Sequence, residues 1–221
     1  MKIVAKKGLC ILSKKNIMVL VSGGGTNLQA LLDAEKNGTL GLGTIALVTS
    51  DRPGVYALER AQKAGVPTMI VQPDSTTLKD KCRQKHSNSL LALAESFNID
   101  LIVLAGFLSI LAGNILQVYS GRIINLHPSL LPKFGGEGMY GERVHRAVLD
   151  AGECESGCTV HLVDSGTDTG SILLQRRVPV LPNDTPYSLA QRIHEEEHIA
   201  IVEAVRIMMN KLCDMTNKEV L

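Results

Sequence analysis

Asn125 and His127 stand one residue apart in Ile124-Asn125-Leu126-His127-Pro128-Ser129, at the end of a strand expected over residues 122–126. Side chains alternate along a strand, so the two face the same way. Pro128 disfavours the helical region for His127 and holds it extended. An amide and an imidazole fixed side by side can stabilise an oxyanion and move a proton. A histidine that merely closes a strand end is the bland alternative; the pairing with Asn125 at this place favours chemistry. An imidazole used in this way needs an orienting carboxylate. Asp164 and Asp168, in Asp164-Ser165-Gly166-Thr167-Asp168-Thr169-Gly170, are the candidates, and spacing does not choose between them.

A second chemical signal is Ser22-Gly23-Gly24-Gly25-Thr26-Asn27, between the first strand and the first helix. Glycines let the backbone turn tightly and present its N–H groups. Together with a helix N-terminus they favour an anion such as phosphate. The alternative is an ordinary strand-to-helix turn with Thr26 or Asn27 as N-cap. A dinucleotide fingerprint is broken because Leu28 stands at its third glycine, and no Gly-Lys-Ser/Thr completes a P-loop. Asp51, after the second strand, could mimic a ribose-binding acid but reads as a turn residue before Arg52-Pro53. A third pattern, His194-Glu195-Glu196-Glu197-His198, formally satisfies His-Glu-x-x-His. No third ligand motif follows it, and the acidic run reads as a solvated helix face, or as one glutamate touching a substrate hydroxyl, rather than as a zinc site.

The elements that must position these groups alternate between short apolar runs and helical patterns, which argues for a parallel sheet with crossover helices. Strands are expected over residues 17–21, 44–49, 68–71, 101–105 and 122–126. Helices are expected over 27–37, 56–64, 77–97, 110–119, 142–150 and 186–211. Residues 159–163 and 172–180 read as an antiparallel pair, because their connection is short. In such sheets ligands bind beyond the carboxyl ends of the strands, where both signals fall. The 221 residues suit one domain over 17–212, preceded by an extension at 1–16 and followed by a tail at 213–221.

Composition narrows the function classes. Lys plus Arg is 23 and Asp plus Glu 22, so no excess of basic charge argues for nucleic acid or a membrane surface. Without Trp, and with three Phe and four Tyr, the core must be aliphatic and an aromatic platform for bases is not expected. Cys10, Cys82, Cys154, Cys158 and Cys213 are odd in number and scattered, as in a reduced cytoplasmic protein. Cys154 and Cys158 alone do not make a zinc site. The apolar patch at 8–13 is too short for a signal peptide or a span.

Four segments in order resemble the phosphoribosylglycinamide formyltransferase (glycinamide ribonucleotide transformylase) family. They are Val21-Ser-Gly-Gly-Gly-Thr-Asn-Leu-Gln-Ala30, Leu104-Ala-Gly-Phe-Leu-Ser-Ile-Leu111, Ile124-Asn-Leu-His-Pro-Ser-Leu-Leu-Pro-Lys133 and Thr159-Val-His-Leu-Val-Asp164 continuing to Gln175. The resemblance covers residues 17–212. It implies a Rossmann-like α/β formyltransferase fold and formyl transfer from 10-formyltetrahydrofolate to the amine of phosphoribosylglycinamide, in the cytoplasm. No metal, nucleic acid or membrane is implied, and the chain would be a monomer or homodimer. By the same resemblance Asn125, His127 and Asp168 would be the catalytic trio, which selects Asp168 over Asp164. Gly25, Thr26 and Asn27 would hold the substrate phosphate, and Glu197 would meet the ribose. Leu108, Ser109, Ile110 and Leu111, with Asn125 and Arg83, would meet the folate; Lys81 and Lys85 are the alternatives to Arg83. Two departures stand out: the loop 134–143 is long and glycine-rich, and Ser109 stands where some members carry a cation, which bears on the folate tail. A formyltetrahydrofolate hydrolase is the nearest rival and would not need this phosphate cradle. A methionyl-tRNA formyltransferase is expected to carry a further C-terminal domain.

Overall fold

A computed structural model describes residues 14–74 and 78–219, with side chains to Asp214. Seven strands form one sheet in the order β3-β2-β1-β4-β5-β6-β7. The parallel part comprises β1 (Lys15–Val21), β2 (Gly43–Ser50), β3 (Thr68–Ile70), β4 (Leu101–Leu104) and β5 (Ile123–His127). β6 (Glu155–Leu162) runs antiparallel to β5, and β7 (Ile172–Pro179) antiparallel to β6. Helices α1 (Thr26–Lys36), α2 (Tyr56–Lys63), α5 (Glu142–Asp150) and α6 (Pro186–Glu219) cover one face, and α3 (Lys79–Ser96) and α4 (Asn114–Val118) the other.

The central strands are apolar throughout because both faces are covered. On β1, Ile17, Val19 and Val21 enter one core and Met18 and Leu20 the other, as the two-residue period of a strand requires. The first core is closed by α1 and by the α6 stripe Ile193, Ala200, Ile201, Ala204, Val205 and Met208. The second is built on Leu90, Ala94, Ile115 and Ile123. Leaving β1, the chain reaches β2 and β3 on one side; β4 and β5 lie on the other. The crevice at the carboxyl ends of β1 and β4 is therefore the switch point of the sheet.

Several expected boundaries differ. The helix expected over 110–119 is reduced to Asn114–Val118. Gly113 has φ 72° and ψ −141°, outside the helical region, and residues 107–112 instead lie irregularly along the crevice. Two hydroxyls hold that segment there: Leu108 N donates to Ser22 Oγ (2.9 Å) and Ala112 N to Ser87 Oγ (2.9 Å). β1 begins at Lys15, inside the segment counted as an extension, because Asn16 N donates to Asp100 Oδ2 (2.8 Å) and ties it to the start of β4. β6 begins at Glu155, since Glu155 already pairs with Pro179 of β7, although Glu155-Ser-Gly-Cys158 lacks strand alternation. α6 continues to Glu219, past the expected end at 211. The helix expected from residue 77 begins at Lys79; residue 77 lies outside the described residues, as do Cys10 and nearly all of the expected extension at 1–16.

Candidate active site

A cleft of about 990 Å³ occupies the switch-point crevice. The turn after β1, the segment after β4, the end of β5, the β6–β7 turn, the loop before α5 and one face of α6 all contribute walls.

At its floor, three side chains meet. Asp168 Oδ2 lies 3.5 Å from His127 Nδ1, and Asp168 Oδ1 accepts from Asn125 Nδ2 at 3.3 Å. The expectation that Asn125 and His127 face one side of β5 is met, and Asp168 closes the triangle. Asp164 does something else: its Oδ1 accepts from Gly166 N (2.9 Å) and Thr169 Oγ1 (2.6 Å), shaping the turn that carries Asp168. Asp168 has φ 59°, a left-handed conformation that Asp tolerates better than most residues but that still costs about 1 kcal/mol. Gly136 N donates to Asp168 Oδ2 at 3.0 Å. Burial works against ionisation of Asp168, but His161, His127 and the Gly136 N–H together hold its carboxyl below the usual range.

Sequence reasoning missed His161, which is directly opposite Asn125 in the antiparallel β5–β6 register. Its Nδ1 faces Leu162 O (2.8 Å), and its Nε2 faces Asn125 Nδ2 (3.1 Å) and Asp168 Oδ1 (3.5 Å). The histidine in Thr159-Val160-His161 was the available signal, but only the strand pairing gives it a partner. His127 Nε2 faces Phe134 O at 2.9 Å. Both ring nitrogens of His127 thus face oxygen acceptors. The donors of Asn125 and His127 are engaged within the protein.

The glycine-rich turn forms one end of the cleft. Gly25 is the N-cap of α1 with φ 73°, and no side chain caps the helix. Thr26 and Asn27 are therefore not the caps that the bland reading of this turn supposes. The first intrahelical bond runs from Gln29 N to Gly25 O (2.9 Å), so the amides of Thr26, Asn27 and Leu28 precede it and are available to an anion. Arg60 Nε donates to Gly24 O and Ala57 N to Gly23 O, fixing the turn on α2.

Beside it, Glu197 departs from the solvated-face alternative for its stretch, which His194 and Glu195 still meet. Glu197 is buried, because its position continues the stripe Ile193, Ala200, Ile201 and Ala204 at helical spacing. Its carboxylate accepts from Asn27 Nδ2 (3.2 Å) and pairs with His194 Nδ1 (2.7 Å). Burial opposes its ionisation, yet His194 and Asn27 hold its carboxyl below the ordinary range, while Glu197 raises the pKa of His194. His145, buried on α5, also reaches the cleft between these groups; burial lowers its pKa, and its Nδ1 has no protein partner. The buried face Val144, His145 and Val148 was the sequence signal for it. Among the described residues no group of three or more His, Cys, Asp or Glu is arranged to hold a metal.

The other end of the cleft is apolar. Leu108, Ser109, Ile110 and Leu111 all line it, with Phe107 and His86 behind them. Ser109 Oγ donates to Asp51 Oδ2 at 2.8 Å. Asp51 is thus a buried anchor, also paired with Arg52, rather than a plain turn acid. Arg83 lines the cleft mouth and pairs with Glu137, whereas Lys85 pairs with Asp74 and Lys81 is exposed.

A Rossmann-like sheet with an antiparallel extension, carrying Asn125, His127 and Asp168 at its switch point, defines the class. Residues 15–205 match the formyl transferase family model, and the chain belongs to the formyl transferase family. Among solved structures, it is similar to glycinamide ribonucleotide transformylase 1 from Symbiobacterium toebii, at 40% identity and a TM-score of 0.80 over 90% of this chain and 89% of that one. It is 42% identical over 198 residues to the trifunctional purine biosynthetic protein adenosine-3 of Drosophila melanogaster, covering 89% of this chain but 14% of that protein. The chloroplastic phosphoribosylglycinamide formyltransferase of Vigna unguiculata is 38% identical over 195 residues, 88% of this chain and 61% of that protein. The chain thus spans a small part of the multifunctional relatives and less than two thirds of the plant one. Among the described residues no helix is long and apolar enough to cross a membrane.

Proposed function

We propose that the chain transfers a formyl group from 10-formyltetrahydrofolate to the amine of phosphoribosylglycinamide, a step of purine biosynthesis. The observation that carries this reading is the meeting of Asn125, His127 and Asp168 between an anion-ready helix N-terminus and an apolar slot. Gly25, Thr26 and Asn27 hold the phosphate through backbone N–H groups. Glu197 accepts from ribose hydroxyls. Leu108 to Leu111 enclose the folate ring system, and Arg83 meets its acidic tail.

The amine nitrogen attacks the formyl carbon, and the bond from that carbon to the folate nitrogen breaks. Asn125 and protonated His127 turn their donors from Asp168, His161 and Phe134 toward the formyl oxygen as negative charge develops there. Asp168 stabilises the imidazolium. One proton leaves the amine and one reaches the folate nitrogen, carried by His127 or by a water on Asp168. The reaction takes place between two small molecules in the cytoplasm, without metal, nucleic acid or membrane, in a monomer or homodimer.

The test is a spectroscopic assay of folate product with and without phosphoribosylglycinamide. Strict dependence on that substrate supports the reading. Product formed at the same rate without it makes the chain a formyltetrahydrofolate hydrolase.

A further inference from the structure

Glu137 has no part in the chemistry above. It stands at the tip of the loop before α5, between Gly136 and Gly138, whose φ angles are 100° and 91°. Its carboxylate crosses the cleft mouth to α3, where it pairs with Arg83 Nη2 at 2.9 Å and with Lys79 Nζ. Two cations share this one carboxylate. Arg83 is 25% exposed and faces the cleft, while Glu137 is 57% exposed. A Cβ on Gly136 or Gly138 would meet nothing within 4 Å among the described residues, so no neighbour packs against the glycines that flank Glu137.

We infer that Glu137 stands in for the acidic tail of the folate: it pairs with Arg83 and Lys79, gives them up to the tail carboxylate, and thereby sets the preference for tail-bearing over tail-less donors. This rests on the folate reading of the cleft. Lys79 and then Arg83 hold the Glu137 carboxyl below its ordinary range, so it is ionised at neutral pH and competes as a charge. The competition is gentle, because exposed ion pairs are worth little. Ser109 at the other wall is uncharged, and its hydroxyl donates to Asp51. Arg83, on the cleft wall, and its neighbour Lys79 are the two cations that Glu137 holds, so their counterion bears on the tail.

Equilibrium binding to the purified chain tests this with two unreactive probes: 5,8-dideazafolate with its glutamate tail, and the same ring system lacking the glutamate. Glu137→Gln removes the competing charge and keeps the shape. It should tighten the tail-bearing probe by about two- to fivefold and leave the tail-less one unchanged, which also reports an intact cleft. The gain should vanish when Arg83→Ala and Lys79→Ala are added. An unchanged or weaker affinity for the tail-bearing probe, or equal tightening of both, overturns the inference while leaving the folate reading standing. If the native chain binds neither probe, the folate reading fails and Glu137 has no such role.

Discussion

Two glycine-rich loops border the cleft, and they are held in opposite ways. The turn after β1 is locked by its own backbone. Gly25 has φ 73°, a Cβ there would lie 2.6 Å from Ala57 Cβ, and α2 grips the carbonyls of Gly23 and Gly24. The loop before α5 has open space around Gly136, Gly138 and Gly141. It is held by contacts that reach into the site: Phe134 O to His127, Gly136 N to Asp168, and Glu137 to α3. The first loop is ordered on folding, and in the proposed reading it is a preset cradle for phosphate. In the proposed reading the second would exchange protein partners for ligand and so couple occupancy of the cleft to the groups that react.

The contrast breaks most sharply at the residues the second loop touches. Replacing His127 by Ala or Asp168 by Asn should lower kcat by about 10²–10⁴-fold, and Asn125→Ala by about 10²–10³-fold. The native melting temperature should be retained to within a few degrees. Steady-state kinetics beside thermal melting separates lost chemistry from lost fold.

At the locked turn, Gly25→Val should weaken phosphoribosylglycinamide by about tenfold or more. It combines a left-handed φ with a backbone contact that cannot yield. Folate affinity should hold, and calorimetric titration of each substrate measures the two separately. Equal loss of both would mean that the turn shapes the whole cleft rather than one subsite.

Within the second loop the glycines should differ among themselves. A Cβ on Gly135 meets Leu131 Cδ2 at 2.5 Å and Asp168 Cβ at 3.2 Å, so Gly135→Ala should displace Asp168 and lower kcat by roughly tenfold with little change in KM. Gly138→Ala meets no neighbour and should cost only about 1 kcal/mol of backbone strain, seen as a small fall in melting temperature.

The smallest effect belongs to the α1–α6 junction. Glu197 raises the pKa of His194 above its usual 6.5. The stability this pair adds is therefore full below the unfolded value and lost as pH rises through the higher folded one. His194 is half exposed, so the gain is modest. The melting difference between native protein and His194→Gln should be about 1–2 °C near pH 5.5 and vanish near pH 9.

The locked turn and the strands were legible in the sequence because local rules govern them. Val21 to Asn27 carries its own turn chemistry, and the runs of β1 and β4 are apolar on both faces. Asn125 and His127 were legible for the same reason, since strand alternation is local. What escaped depended on contacts distant in sequence. His161 acquires meaning only from its pairing with Asn125, 36 residues away. The expected helix over 110–119 fails because Ser22 and Ser87 draw residues 108 and 112 to the cleft wall. The solvated-face alternative for residues 194–198 fails at Glu197, whose spacing from Ile193 and Ile201 already put it on the buried stripe. The second loop offered only its glycines, because its order comes from side chains of β5, α3 and the β6–β7 turn.

The most direct measurement follows the formyl carbon itself. With 10-formyltetrahydrofolate carrying a ¹³C-labelled formyl group, the native chain should place the label on the phosphoribosylglycinamide amine, as read by NMR. Asp168→Asn should slow that transfer by orders of magnitude while both substrates still bind. Label recovered as free formate, or transfer undiminished in Asp168→Asn, would contradict the account.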